Sequence, residues 1–189
     1  MPLEGELVNL REEQPEDMPL LVALRNNLET QAWSKTLPPD YTETMYMKRF
    51  RDREYSYDPQ EGRFIIIARA SGEFVGTISY TGLKPRWSAT IGLMVEKKIW
   101  GTGLAMDAQE TLLHFLFVEL GLRVIRLFTH DGNPRAVALA EKADFKVTAR
   151  QRQAIFKNGE VFDNLVMDLL REEYFSRHPR LEDHLPPLS

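Results

Sequence analysis

The apolar residues of this chain recur in two rhythms, and the places where one gives way to the other mark its elements. Met18, Leu21, Leu24 and Leu28 stand at helical spacing, as do Leu104, Ala108, Leu112 and Leu116, so helices are predicted over 15–31 and 102–120. A further helix is expected near 42–51, after a loop over 33–41 that contains Pro38 and Pro39. Shorter runs read as strands over 7–11, 63–70, 73–81, 89–95, 123–129, 146–156 and 161–170, the second and third joined at Ser71-Gly72 as a hairpin. Asp131 and Gly132 supply a turn, Asn133 is placed to cap, and Ala136, Leu139, Ala140 and Ala143 give a short helix its apolar face. No internal repeat, low-complexity run or linker interrupts the series.

This order implies an α+β fold: a mixed, mostly antiparallel sheet of six to seven strands, with one parallel pair and about four helices. At 189 residues and 43% hydrophobic, the chain can bury one good core, so a single domain is expected over 1–175. The stretch 176–189, with Pro179, Pro186 and Pro187, reads as a tail that is loosely packed or docks on a partner. A net charge of −4 argues against a general nucleic-acid binder. The chain has no cysteine, which excludes disulfides, thiolate metal sites and a cysteine nucleophile, and no metal centre is expected. The N-terminus is acidic at Glu4 and Glu6, and no apolar stretch is long enough to span a membrane. A cytoplasmic monomer or homodimer is the expectation.

Candidate chemistry concentrates where the strand over 89–95 runs through Glu96, Lys97 and Lys98 into Ile99-Trp100-Gly101-Thr102-Gly103-Leu104-Ala105 and the long helix. The first amides of a helix lack intrahelical partners and lie at the positive end of its dipole, and Gly101 and Gly103 let an anion approach the backbone. A diphosphate suits such a junction. The spacing is not that of a dinucleotide fingerprint, which needs a third small residue at Met106 and an acid near Gly121. A nucleoside-triphosphate loop would need Gly-Lys-Ser/Thr, and no such run exists.

What remains is a basic residue, two positions, Gly, any residue and Gly, here Lys98 to Gly103, and it resembles the acyl-coenzyme-A loop of the GNAT superfamily of N-acetyltransferases. A second segment, Asn133-Pro134-Arg135-Ala136-Val137-Ala138-Leu139-Ala140-Glu141-Lys142-Ala143-Asp144-Phe145, resembles the family's Asn-led helix ending Glu-Lys-Leu-Gly-Phe. A third, Asn158-Gly159-Glu160-Val161-Phe162-Asp163-Asn164 followed by 165–170, is similar to the closing hairpin of the ribosomal-protein alanine N-acetyltransferase branch, as is Trp100 beside the first glycine. The resemblance runs from about Leu7 to Glu173, nearly the whole chain.

The resemblance implies the GNAT fold, with the two parallel strands splayed at their ends, and acetyl-CoA as co-substrate. It implies main-chain contacts from Leu93, Met94 and Val95 to the pantetheine arm, and a diphosphate held by Ile99, Trp100, Gly101, Thr102, Gly103, Leu104 and Ala105. Lys98 either adds charge there or faces water. In the family the Asn at position 133 helps hold the arm; a plain helix cap is the other reading of Asn133. The implied activity is acetyl transfer to a primary amine, such as a protein N-terminus. Two alternatives stand beside it: a small-molecule acetyltransferase for an aminoglycoside, polyamine or amino-acid-like acceptor, and a non-catalytic acyl-CoA-binding module.

Proton handling departs from the family pattern. Ala140 stands where many members carry the tyrosine that protonates the thiolate, Ala136 where others carry serine, and Thr90 where many relatives of the alanine branch carry glutamate. Asp144 replaces the glycine before the aromatic residue. The substitute catalytic candidates are Glu96, as a base through water, and His130, because a free imidazole ordinarily titrates near neutrality. Each also has a plainer reading, a solvated glutamate and a histidine bonded to local backbone. Trp33, Tyr41, Tyr80 and Asp163 are the candidates for lining the acceptor pocket. The acids Glu12, Glu13, Glu16 and Asp17 either attract a cationic acceptor or form a solvated helix start.

Overall fold

The computed structural model describes residues 2–27, 42–55 and 60–179. Candidate residues Trp33 and Tyr41, with the 33–41 loop, lie outside them. The strands are β1 (Leu3–Glu4), β2 (Val8–Glu12), β3 (Gly62–Ala68), β4 (Phe74–Lys84), β5 (Ser88–Val95), β6 (Val124–His130), β7 (Lys146–Lys157) and β8 (Glu160–Leu170). The helices are α1 (Met18–Asn26), α2 (Glu43–Tyr55), α3 (Leu104–His114), α4 (Pro134–Lys142) and α5 (Arg171–Arg177). One sheet joins all eight strands in the order β1-β2-β3-β4-β5-β6-β8-β7. Every neighbouring pair is antiparallel except β5 and β6, which are parallel because α3 carries the chain back between them.

Two counts expected from sequence are corrected. The described residues hold eight strands rather than six to seven, and five helices rather than about four. The added strand, β1, has two residues and no readable pattern of its own. Its hairpin is fixed from outside by Asp107 of α3, whose carboxylate accepts the N–H groups of Glu6 (3.2 Å), Leu7 (2.8 Å) and Val8 (2.9 Å). Gly5 lies so close that a Cβ there would meet Thr111 Oγ1 at 2.4 Å. The added helix, α5, follows β8 with no intervening turn, so no breaker announces it. It is held by the burial of Tyr174 and Phe175 and by Arg177, whose guanidinium reaches Glu110 (2.7 Å) and Asp144 (3.2 Å).

The sheet separates two apolar clusters. On one face α3 packs against alternate strand residues such as Leu10, Ile66, Ile78, Ile91 and Ile125, and this is the larger core. On the other face α1 and α2 place Met18, Leu21, Leu24 and Tyr46 over Ile65 and Phe74, with Met94 at the margin. Of the predicted first helix, a single tight turn, Pro15–Asp17, leads into α1, which ends at Asn26, and positions 28–31 lie outside the described residues. Helix α3 widens at its end to i→i+5 bonding, with Leu120 N–H donating to Phe115 O at 3.0 Å. No described helix is long and apolar enough to cross a membrane.

Candidate active site

The two parallel strands part company. Pairing between β5 and β6 runs from Ser88↔Val124 to Ile91↔Leu127. Beyond it β5 continues to Val95 along β4, and β6 continues to His130 along β8. Glu96 N–H donates to Val75 O at 2.9 Å, so the alternation of a strand turns the peptide groups of Leu93 and Val95 the other way, toward β6. Of the three residues expected to offer main chain to an arm between the strands, Leu93 and Val95 point there and Met94 points its peptide to β4.

At the mouth of this gap stands the glycine turn. Ile99 is buried in the core and anchors it, and the Thr102 hydroxyl donates to Ile99 O at 2.6 Å. Gly101 (φ 79°) and Gly103 (φ 87°) both take left-handed backbone, which a side chain disfavours. A Cβ at Gly101 would meet nothing within 4 Å, and one at Gly103 only Leu7 Cδ1 at 3.6 Å, so the space before the turn is open. No side chain caps α3, whose residue before the first turn is Gly103 itself. The Leu104 N–H donates to Thr102 Oγ1 at 3.5 Å, a long bond, and the amides of this first turn lie at the positive end of the helix. This open turn, with glycine at two of its positions, fits a diphosphate. Arg135 of α4 lies over Trp100, its guanidinium carbon 4.4 Å from the ring centroid, and adds a cation at the same rim.

The remaining candidates are dispersed. Lys98 Nζ sits 2.8 Å from Glu96 Oε2, and that hydrogen bond, with the charges of Glu96 and Glu73, raises the Lys98 pKa above its ordinary value. The pair thus leans toward the β3–β4 hairpin that carries Glu73. His130 is 1% exposed, and its ring lies 5.2 Å from that of Phe162. Because Ile125 and Leu127 join the α3-side core, alternation puts His130 on the opposite face of the sheet, the face of α1 and α2. Asn133 caps α4, its side-chain oxygen accepting the N–H of Ala136 at 3.2 Å.

Tyr80 packs into the α3-side core between Phe64 and Phe115, at ring separations of 6.4 and 6.3 Å, where β5 and β6 are still paired. Asp163 accepts Gln153 N–H (2.9 Å) and Arg150 Nη1 (3.0 Å), which together hold its carboxyl below the usual range. Arg150 also bonds Asp131 at 2.7 Å, so these three side chains brace the β6–α4 turn against the β7–β8 hairpin.

Sequence reasoning did not identify the cavity that the tertiary structure forms on the α1/α2 face. It measures about 80 Å³ and lies between Arg25 of α1, Tyr46 of α2, Arg63 of β3, Thr77 and Ser79 of β4, and Met94 of β5. Glu13, singled out above only as part of an acidic run, also lines it. Thr77 and Met94 are register partners, so the cavity floor reaches the strand segment whose peptides face the gap. The only sequence signal was the helical spacing of Leu21 and Leu24, which marks a packed face and not a cavity.

The fold and the site have counterparts among known proteins. The family model described as an acetyltransferase (GNAT) domain matches residues 8–146. An uncharacterized N-acetyltransferase of Bacillus licheniformis is 26% identical over 184 residues, covering 91% of this chain and 97% of that protein. A putative ribosomal N-acetyltransferase of Bacillus subtilis is 28% identical over 104 residues, 54% of this chain and 57% of its own length. A spermidine N-acetyltransferase from Vibrio cholerae, solved in complex with CoA and spermine, superposes with a TM-score of 0.81 at 22% identity, over 90% of this chain and 99% of that one. The last likeness is one of fold. With the family model spanning β2 to the start of β7, and the parted parallel strands leading to an uncapped glycine turn, this chain belongs to the GNAT family of acetyltransferases.

Proposed function

We propose that this protein is an acetyl-CoA-dependent N-acetyltransferase that acetylates a primary amine by direct transfer. The observation that carries the reading is the parting of β5 from β6 beyond Ile91 and Leu127, with the open turn of Gly101 and Gly103 at its mouth. In this reading Leu93 and Val95 align the arm through their peptide groups, and the N–H groups of Gly103, Leu104 and Ala105 neutralise the diphosphate. Bound acetyl-CoA supplies the acetyl group as an activated thioester. Holding the two reactants in line is the protein's main contribution, on the order of 7–11 kcal/mol at the upper end.

The proton balance sets the remaining task. An ammonium acceptor loses one proton before attack and a second as the C–N bond forms and the C–S bond breaks, and the departing thiolate takes one up. Of the two candidate proton acceptors, position favours His130, which ends β6 on the face of the cavity. Glu96 is engaged by Lys98 on the hairpin side.

The terminal amine of a protein is one acceptor class, favoured by the closing-hairpin motif and by the partial likeness to a putative ribosomal N-acetyltransferase. A small amine is the other, favoured by the small cavity beside Met94. A binding module without catalysis remains the reading that Ala136, Ala140 and Thr90 would support. Thiol release from acetyl-CoA over a panel of small primary amines and N-terminal peptides, beside calorimetric binding of coenzyme A, separates these. Turnover of any amine supports transfer, whereas tight coenzyme A binding with no turnover supports the module. Absence of binding removes the site altogether.

A further inference from the structure

Asn164 of β8 is 5% exposed, and its side-chain oxygen is buried with no hydrogen-bond partner. A buried acceptor left unpaired is costly, so its place in the sheet calls for a reason. Asn164 is the register partner of His130 across β8 and β6. The next pair outward is bonded through the main chain, Asp131 N–H to Asp163 O at 3.1 Å, so His130 and Asn164 form the non-hydrogen-bonded pair beside it, in which side chains lie closest. Both belong to the face of α1 and α2.

The orientation of the amide follows from the strand order. Strand β8 lies between β6 and β7, and Asn164 Nδ2 donates toward β7, to Gln151 Oε1 at 2.6 Å. The oxygen is thereby turned toward β6 and His130. A step in register between Val147 and Ala149 puts Gln151 opposite Asn164; without it β7 would set Arg150 there, and a guanidinium beside His130 would oppose a positive ring. Arg150 instead takes the other face, where it bonds Asp131 and Asp163. Phe162 packs on the imidazole at 5.2 Å, and a Cβ at Gly132 would meet Phe162 at 2.4 Å, so the ring is closely held. The charged residues that share this face of the three strands stand further off in register: Arg126, Asp168 and Lys146 on one side, Glu160 and Lys157 at the hairpin end on the other. From α1, Arg25 is seated at Met94 of β5.

An imidazole that takes a proton carries an N–H on each nitrogen, so it gains a donor whatever the neutral ring is bonded to. Resting on the acetyltransferase reading above, with His130 as its base, we propose that Asn164 is the positioning residue of that base: its oxygen, turned by Gln151, accepts the N–H that the ring acquires with the acceptor's proton. The acceptor nitrogen gives up the proton, the ring holds it, and the two amides keep theirs. A hydrogen bond to the charged form strengthens the base.

The test titrates the full chain with isotope-labelled histidine by NMR, His130→Gln assigning the signal, and follows thiol release from acetyl-CoA with an amine that the parent turns over. Asn164→Leu is expected to lower the His130 midpoint by about one pH unit, a tenfold loss of proton affinity, and Asn164→Asp to raise it by about as much. His114 and His178 keep their midpoints. In Asn164→Leu kcat falls at least tenfold, while the KM for acetyl-CoA changes less than threefold. Gln151 is exposed, so Gln151→Leu decides the matter if the Asn164 variants fold poorly, with a His130 midpoint about half a pH unit lower. Unmoved midpoints overturn the proposal and leave acetyl transfer standing. Moved midpoints with kcat unchanged overturn it too, by removing His130 as the base. Coenzyme A binding without turnover of any amine by the parent overturns both the proposal and the acetyltransferase reading.

Discussion

Lys98 Nζ stands 2.8 Å from Glu96 Oε2, so two residues to which the sequence offered opposite duties, a phosphate cation and a catalytic base, occupy each other. Lys98 is exposed and Glu96 half-buried, and a pair at the surface of this kind contributes about 0–1 kcal/mol to stability. Glu96→Gln is therefore expected to leave the melting temperature nearly unchanged and kcat within about threefold of the parent. Loss of a general base costs about 10²–10⁴-fold. A fall of that size in Glu96→Gln, and none in His130→Gln, would return the role to Glu96.

The glycine turn yields the sharpest test of the cofactor assignment. At Gly103, with φ 87°, any side chain adds backbone strain of about 1–3 kcal/mol, and the Cβ direction is nearly empty. Gly103→Trp is expected to unfold cooperatively at a lower midpoint and to weaken coenzyme A binding at least tenfold by calorimetry, because the ring fills the space before the turn. Unchanged affinity in a folded variant would contradict the placement of the diphosphate.

Asn133 separates local structure from ligand binding. Its side-chain oxygen caps α4 through Ala136 N at 3.2 Å, so Asn133→Ala is expected to cost about 1 kcal/mol in chemical denaturation. Asn133→Asp keeps a capping oxygen and loses the amide donor. Restored stability with coenzyme A affinity still weakened several-fold assigns the donor to the arm; full recovery of both assigns Asn133 to the cap alone.

Acid should loosen the N-terminal part of the fold. Asp17 is 3% exposed, and burial by itself pushes its carboxyl up. The Arg11 guanidinium, with both nitrogens at 2.7 Å, and the Gln14 N–H at 2.8 Å outweigh that and hold the carboxyl below its ordinary value. Glu173 is likewise lowered, by its hydrogen bond from Lys146 and by Leu170 N–H. A carboxyl lowered in the folded state stabilises it above the unfolded pKa, near 4, and that contribution disappears as pH falls through the lower folded value. Urea midpoints are expected to be flat from pH 7 to about 5 and to drop below about 4, with a shallower drop in Asp17→Asn. Arg11→Met, which leaves the buried carboxylate without its partner, is expected to lose about 2 kcal/mol at neutral pH, discounted for the partial exposure of Arg11.

Much of the fold was legible because it is written in short-range patterns. The alternation of 89–95, the two glycines and the fourfold spacing from Leu104 to Leu116 are each local, and they carried β5, the turn and α3 to nearly their observed bounds. The gap between β5 and β6 followed from family resemblance and from connection order, since an intervening helix makes the flanking strands parallel. The acceptor side was far less legible. Tyr80 shares β4 with Thr77 and Ser79 yet faces the other core, and which face a strand residue takes depends on register, which one shift reverses.

By itself the sequence determined the order of the elements and the glycine pair Gly101 and Gly103 at the start of the long helix, because these depend on residues a few positions apart. Only the tertiary structure decided that Asp107 fastens a two-residue strand a hundred positions away, that Lys98 is held by Glu96, and that Glu13, Arg25, Arg63 and Met94 share one cavity. Such partners meet only when the two faces of the sheet have been covered, and no periodicity along the chain records which side chains will be left facing the same space.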